Sequence, residues 1–376
     1  MPSSRRSILI VQPYVPKYRE AFFSALIAAL DGADINCRVA AAAPKQEQAE
    51  RGDAVTADWV ETYEPKQLHV GGRTIGLGGA RHLWRHDDAV VVGHLGSSLD
   101  TYRAIYDAAR NQIRVGLWGH IKSYVNDGNP LDVALERWQL RRSDHVFAYT
   151  RGGHDYAIRS GVDPSRVTAV MNATDTTRLE TARDSISESQ KLSFMAAHNL
   201  TLGRTLGYIG GLDSSKRINF LADSLERLWA LDPDVKLIVG GSGSDAHLLD
   251  AARARGQVVM LGYASAVDQA LIAGVSSAFL MPGRIGLVAV DALVLRKPIL
   301  TTAWPYHAPE HEYLTESASR FTSANNVESY ALLVHNFLAA EQSTVGSQNN
   351  FNWGFPTIDK MVDNFASGIL AMLERR

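Results

Sequence analysis

Short apolar runs recur along the chain, each closed by a glycine-bearing or polar turn and followed by a segment with apolar residues on one face. SILIVQPYV, from Ser7, predicts a strand, and Lys17 to Leu30 a helix. Further strands are predicted at Ile35 to Ala41, Ala89 to Gly93, Arg114 to Trp118, His145 to Ala148 and Val167 to Val170. A second series follows at Thr205 to Ile209, Val235 to Gly240, Gln257 to Leu261, from Phe279 to the Pro282-Gly283 turn, and at Pro298 to Leu300. Strand, turn and helix in alternation is the signature of parallel α/β sheets. Between the two series, Asn172 to Glu188 is rich in Asp, Thr and Ser and reads as a linker. No internal repeat appears beyond this rhythm, and no low-complexity tract.

The most informative stretch is FLMPGRIGLVAVDALVLRKPILTT, Phe279 to Thr302. Gly283 and Gly286 form a turn that feeds a helix, and Asp291 lies one to two turns into it. A glycine turn at a helix N-terminus offers backbone N–H groups and the helix dipole to a phosphate or to sugar hydroxyls. A carboxylate at Asp291 suits the diol of a ribose. An ordinary βαβ turn has the same outline, and on this segment alone both readings stand.

The segment resembles the donor-site motif of retaining GT-B glycosyltransferases of the family 4 type: a Glu, then Gly-Phe-Gly-Leu, and a second Glu eight positions after the first. Asp291 takes the place of the second Glu, Gly286-Leu287 match, and Gly283 stands where the first Glu is usual. The resemblance implies a ribose contact for Asp291. It implies no carboxylate against the donor sugar, which leaves the backbone amides of Gly283, Arg284 and Ile285 to reach it.

RTLGYIGGLDSSKRINFLADSLERL resembles the family's strand-Gly-Arg-Leu-loop-Lys-Gly motif, whose basic residues contact the donor diphosphate. Lys216 takes the lysine position; Gly211, after Gly210, occupies the arginine position; Arg217 or Arg284 is placed to supply the missing charge. Cations beside a diphosphate stabilise it as a leaving group. A solvated Lys-Arg pair at a helix start is the other reading, although basic residues there oppose the dipole. LIVGGSGSDAHLLDAA resembles the strand ending in Gly-x-Gly that approaches the nucleotide, with Gly241 in the turn and Ser242 or Ser244 as cap. In VVMLGYAS, Tyr263 and Ala264 follow the Leu-Gly that in the family lies against the base.

The first half carries its own matches. QPYVPKYREAFFSAL is similar to the family's opening, which puts Tyr14, Tyr18 and Arg19 after the first strand, facing acceptor or donor phosphate; Phe22, Phe23 and Leu26 read as helix core. In GLWGHIKSY, His120 lies just past a strand's C-terminal end, where α/β enzymes place ligand contacts. The family carries a His there, beside the donor sugar, so the resemblance makes His120 the catalytic-site residue together with Lys216. His94, in VVVGHLGSS, is placed likewise, on the acceptor side. MNATDT, from Met171, resembles the Asn-Gly-Val-Asp that closes the first domain of the family. In TTAWPYHAPEHEYL, Glu310 and Glu312 flank His311, with loop anchoring the first reading and an acid–base pair the second. Arg137, Arg141 and Arg142 share roughly one helical face, suited to an anionic headgroup or acceptor phosphate, or simply to solvent.

Composition narrows the class. With 376 residues, 45% hydrophobic and 21% charged, the chain has the make-up of a globular enzyme of two or three domains. The net charge of −2 gives no bulk attraction to nucleic acid. The single cysteine, Cys37, excludes an intrachain disulfide framework and reads as a buried strand thiol. Neither His94 nor His120 belongs to a metal-ligand spacing, so no metal site is expected. Arg5-Arg6 precede only a short apolar run without a signal-peptide core, and no apolar stretch approaches the ~20 residues that span a bilayer. The cytoplasm is the expected location, with the inner face of the membrane as a peripheral contact.

The expected fold is α/β, a GT-B pair of Rossmann-like, doubly wound domains facing across a cleft. Residues 1–175 form the acceptor-side domain, 176–356 the donor domain, and 357–376 a helix crossing back to the first. The implied function is a retaining, metal-independent, cofactor-free transfer of a sugar from a UDP, GDP or dTDP donor to a glycan or lipid-linked glycan, in bacterial polysaccharide synthesis. Lys216, Arg217 and backbone amides would hold the diphosphate, Asp291 the ribose and His120 the sugar, while the leaving phosphate takes the acceptor proton and closure excludes water. Loss of the first Glu and of the diphosphate Arg leaves open a sugar-nucleotide-binding pseudoenzyme or assembly subunit. A GT-B-shaped sugar-nucleotide 2-epimerase would need acid–base carboxylates, for which Glu310 and Glu312 are the sole candidates.

Overall fold

In a computed structural model the apolar runs become two parallel sheets. The described residues are 5–43, 55, 57–64, 66–70, 73–110, 112–122, 124, 129–343 and 351–375. The chain divides into two units, Met1–Asp175 with Pro356–Arg376, and Thr176–Phe355.

In chain order the first unit contains β1 (Arg6–Gln12), β2 (Ile35–Ala42), β3 (Val60–Tyr63), β4 (Lys66–Val70), β5 (Arg73–Gly78), β6 (Ala89–Gly93), β7 (Arg114–Gly119), β8 (His145–Ala148) and β9 (Val167–Ala169). Seven of them form one parallel sheet in the order β3-β2-β1-β6-β7-β8-β9. β4 and β5 make a separate antiparallel hairpin. The central strands read as continuous apolar runs because both faces are covered. Ile8, Ile10, Val39 and Val91 pack with Phe22, Phe23 and the C-terminal helix Ile358–Glu374 on one side. Leu9, Val90, Leu117 and Trp84 pack on the other. Phe365 of the C-terminal helix stacks on Phe147 at 4.4 Å and meets Trp118 edge-on at 4.9 Å. Cys37 is buried in β2, and desolvation pushes its thiol up to about 12.

The second unit holds β10 (Thr205–Ile209), β11 (Lys236–Gly240), β12 (Val258–Gly262), β13 (Phe279–Leu280), β14 (Ile299–Thr302) and β15 (Arg320–Ser323). They lie in the order β12-β11-β10-β13-β14-β15. Both sheets thus reverse winding direction beside their first strand, between β1 and β6 and between β10 and β13. That switch point is where a doubly wound sheet opens a crevice at its strand C-termini.

One expectation needs correction. The segment read as a linker is mostly a helix, Thr176–Ser185, with Leu179 and Ala182 buried in the second unit's core. Arg183 ties it down by donating to the Val294 carbonyl at 2.5 Å. The next helix, Glu188–Ala197, opens with a capping box in which Ser187 and Gln190 satisfy each other's backbone amides. Ser187→Ala is expected to cost about 1 kcal/mol, read as a lower denaturant midpoint at unchanged slope. Among the described residues no helix is long and apolar enough to cross a membrane.

Candidate active-site regions

In the second unit three loops converge at the switch point, and glycines let them do so. A Cβ on Gly241, after β11, would sit inside the carbonyl of Gly210, after β10; one on Gly243 would strike the Leu212 backbone. Likewise a Cβ on Gly283, after β13, would overlap the Lys216 backbone, with its Cα at 2.7 Å. The position where the family carries a glutamate is therefore filled here by the neighbouring loop. Gly210, at φ +142°, adopts a conformation that suits only glycine. Asp213 caps the turn by accepting from the Ser215 amide at 3.0 Å. A short 3-10 turn, Ser214–Lys216, then leads into the helix Ile218–Leu231.

Both cations of that turn reach the loop after β13. Lys216, half-buried, donates from Nζ to the Arg284 carbonyl at 2.6 Å and so lies against the turn after β13. Arg217 takes a left-handed backbone, φ +56°, and its guanidinium lies among Phe220, Pro282 and Asn325. It donates to Asn325 Oδ1 at 2.7 Å and to the Pro282 carbonyl at 3.2 Å, with its guanidinium 4.1 Å from the centre of the Phe220 ring. These contacts make Arg217 a brace between loops. Arg284 donates to the Tyr306 carbonyl at 3.2 Å, and burial lowers its pKa against the opposing pull of Glu310.

The expectation that amides of the Gly283 turn reach a sugar is corrected for two of them. Arg284 N–H donates to the Ser215 carbonyl at 2.9 Å, and Ile285 N–H donates to His307 Nδ1 at 3.2 Å. Ile285 is fully buried, and Gly286 packs towards Ala308. Because Nδ1 accepts, the His307 proton sits on Nε2, directed at the Thr302 carbonyl. His311 stacks on His307 with centroids 4.2 Å apart. Glu310 is buried beside them whereas Glu312 is exposed, so the pair flanking His311 occupies unlike surroundings. Leu287 precedes the helix Val288–Val294, and Asp291 is the acid of its first turn, half-buried. Tyr263 is 84% exposed just past β12, while Ala264 is buried.

In the first unit the ends of β1, β6, β7 and β8 surround a cavity of about 300 Å³, lined among others by Gln12, His94, His120, Lys122, Glu136 and Tyr149. His120 follows β7 and meets the Tyr149 ring edge-on at 4.9 Å. The next residue, Ile121, has φ +67°, a strained backbone for a β-branched side chain, of the kind that persists where surroundings impose it. Gly153 lets the helix Arg151–Arg159 press against the His120 carbonyl. His94 is buried and bonded through Nε2 to the Glu136 carbonyl at 3.1 Å. Arg19, only 4% exposed, donates to Tyr149 Oη at 2.9 Å and lies 4.5 Å over the Trp118 ring. Tyr14 is half-buried and Tyr18 exposed on the loop after β1.

Desolvation pushes His94, His145 and His307 down to about 4. At neutral pH all three are uncharged in the native state. The unfolded chain takes up protons from about 6.5 downwards, whereas these native imidazoles wait until about 4. The contribution of these three histidines is therefore constant above pH 6.5 and falls as pH drops from 6.5 to 4, by up to about 1.4 kcal/mol per pH unit for each. Urea unfolding at pH 7, 6 and 5 reads this slope, and His145→Gln is expected to reduce it.

The structure thus brings together Gly210, Gly211, Lys216, Gly241, Gly283 and Arg284 in one unit, and His94, His120 and the loop after β1 in the other. Tyr149, Asn172 and His307 were not singled out beforehand as site residues. Tyr149 ends a strand, the same signal that marked His120, and with Asn172 accepts from Arg19. His307 acts 22 residues from Ile285, a pairing without any local signal.

Two family models match the chain: a glycosyl transferase 4-like domain over residues 20–173 and a glycosyl transferases group 1 domain over residues 203–339. No curated protein sequence gives a significant match. Among solved structures, Anabaena Alr3699/HepE in complex with UDP-glucose is similar at TM-score 0.61 and 13% identity, covering 97% of this chain and 96% of that one. A glycosyltransferase from Rickettsia africae reaches TM-score 0.64 at 11% identity, over 99% and 100%. The UDP-GlcNAc 2-epimerase of Methanocaldococcus jannaschii reaches 0.55 at 13%, over 97% and 99%. At these identities the likeness is one of fold. With a transferase 4-like domain on its first parallel sheet and a group 1 domain on its second, together well over half of its length, the chain belongs to the GT-B glycosyltransferases.

Proposed function

We propose that this enzyme moves a sugar from a nucleotide-sugar to a hydroxyl of a glycan or lipid-linked glycan, with retention and without metal or other cofactor. It would do so in the cytoplasm, in the synthesis of a bacterial polysaccharide. The second unit takes the donor and the first the acceptor. The observation that carries this reading is the glycine-locked turn of the second unit, which sets Lys216 against the loop after β13 at the switch point. The first-turn carboxylate of Asp291 follows on the next helix. HepE, of the same fold, is described with bound UDP and UDP-glucose, which supports a uridine donor here.

In this scheme Lys216 and Arg284 face the diphosphate and stabilise the charge that develops as the glycosidic bond breaks. Asp291 accepts from the ribose hydroxyls. His120 hydrogen-bonds the sugar, and its ring is steered by Tyr149. Without an enzyme nucleophile, departure of the diphosphate and attack by the acceptor oxygen occur on one face, and the leaving phosphate takes the acceptor proton. Arg217, spent on Asn325 and Phe220, is a brace in this scheme.

The test is to incubate the enzyme with UDP-, GDP- and dTDP-sugars and short glycan acceptors, and to follow the anomeric proton by NMR. A product of the donor's anomeric configuration, formed equally with EDTA, is expected. An inverted product, EDTA-sensitive turnover, or an epimerised sugar-nucleotide without acceptor would refute the corresponding part.

A further inference from the structure

The first unit carries an exposed face that the donor and acceptor chemistry does not use. Leu131, Leu135, Trp138 and Arg142 follow one another at i, i+4, i+7 and i+11 on the helix Pro130–Arg142, so they share one stripe. Leu131 is 72%, Trp138 42% and Tyr106 51% exposed. Tyr106 lies on the adjacent helix, Leu99–Ala109, and between the two helices runs a groove of about 410 Å³ lined by Leu99, Tyr102, Tyr106, Trp138 and arginines. Trp138 stacks on Tyr102 at 5.9 Å, which holds the indole at the rim.

Charge decides what this face suits. Of the charged side chains on the two helices and the residue ending the first, Arg103, Arg110, Arg137, Arg141 and Arg142 are exposed. Asp100 and Asp107 are buried, and Asp132 and Glu136 are half-buried. Asp107 is taken by Arg81 and the Trp84 indole N–H, and Glu136 borders the His94 cavity. The exposed charge is therefore predominantly positive on a chain whose net charge is −2. The helix dipole favours Arg141 and Arg142 in a last turn, and Arg103 faces Asp100 at 3.8 Å, but neither accounts for Arg137. Tryptophan, tyrosine and leucine interleaved with arginine is the composition that settles at a lipid–water interface, apolar tips among the acyl chains and guanidinium groups at the phosphates.

We propose that this face docks the enzyme on an anionic phospholipid bilayer, with Leu131, Leu135, Trp138 and Tyr106 entering the interface and Arg103, Arg110 and Arg142 on the headgroups. The assignment does not depend on which sugar is transferred.

Cosedimentation of the full chain with phosphatidylcholine vesicles, with and without phosphatidylglycerol, tests it. Binding to the phosphatidylglycerol vesicles, weakened by added salt, and none to pure phosphatidylcholine is expected. Arg110→Glu with Arg142→Glu should lower the partition coefficient about thirty-fold. Trp138→Ala should lower it about ten-fold. Both variants should keep the wild-type melting temperature within a few degrees and keep turnover on a soluble acceptor. Absence of binding to the anionic vesicles, or variants that bind as wild type, would overturn the proposal. So would a wild-type dimer in solution that the same variants dissolve, since the face would then belong to a second copy.

Discussion

Lys216→Ala is expected to lower kcat by about two to three orders of magnitude, the usual effect of removing one preorganised group that meets developing charge. Lys216 lies in the β10 turn against the loop after β13, with its Nζ on the Arg284 carbonyl. It is half-buried in a turn whose backbone is set by Asp213 and by the contact with Gly283, so the side chain contributes little to stability. Loss of one hydrogen bond to a carbonyl costs about 1 kcal/mol. The variant should melt within a few degrees of wild type while turnover collapses. Because the charge acts chiefly on the departing diphosphate, kcat should fall far more than KM rises. Lys216→Arg should recover part of the rate. A Lys216→Ala enzyme with kcat within threefold of wild type would remove the residue from the chemistry.

The second large effect concerns Gly283. Restoring the family's glutamate looks like a gain of function on sequence grounds, and the structure predicts the opposite. Any Cβ there overlaps the backbone of Lys216, which is no flexible side-chain tip and must be displaced whole. The position is buried, so the carboxylate would also lose hydration. Overpacking and burial of a charge together are expected to cost at least about 3 kcal/mol. Gly283→Ala carries the steric part alone and should cost less, about 1 to 3 kcal/mol. Both should weaken nucleotide-sugar binding, because the displaced segment is the one that bears Lys216. Calorimetric titration of Gly283→Ala separates the two consequences: a folded variant with wild-type donor affinity would show that the loop contact does not shape the site.

The strands that run through the two cores were legible because burial on both faces leaves an uninterrupted apolar run. β3, VETY, and β15, RFTS, were not, since edge strands mix polar and apolar residues and are settled by pairing with a neighbour. Thr176–Ser185 passed for a linker because a helix needs few apolar residues when only Leu179, Ala182 and Thr176 turn inwards. In the sites, glycine positions were readable because the steric demand rests on the residue itself. The partners of Lys216 and Arg217 were not: both reach the loop after β13, at Arg284 and Pro282, and Arg217 goes on to Asn325, 108 residues away. His307 and Arg19 follow the same rule, being defined by partners 22 and 130 residues away.

The proposed chemistry requires the second unit's switch point to hold a nucleotide-sugar donor. Thermal shift with UDP, GDP and dTDP and their sugars, on wild type and Asp291→Ala, addresses it most directly. A ligand at 100 times its dissociation constant stabilises the fold by about 2.7 kcal/mol, so one base should raise the melting temperature clearly and Asp291→Ala should lose most of that rise. No shift with any nucleotide, or an equal shift in Asp291→Ala, would contradict the donor site described above.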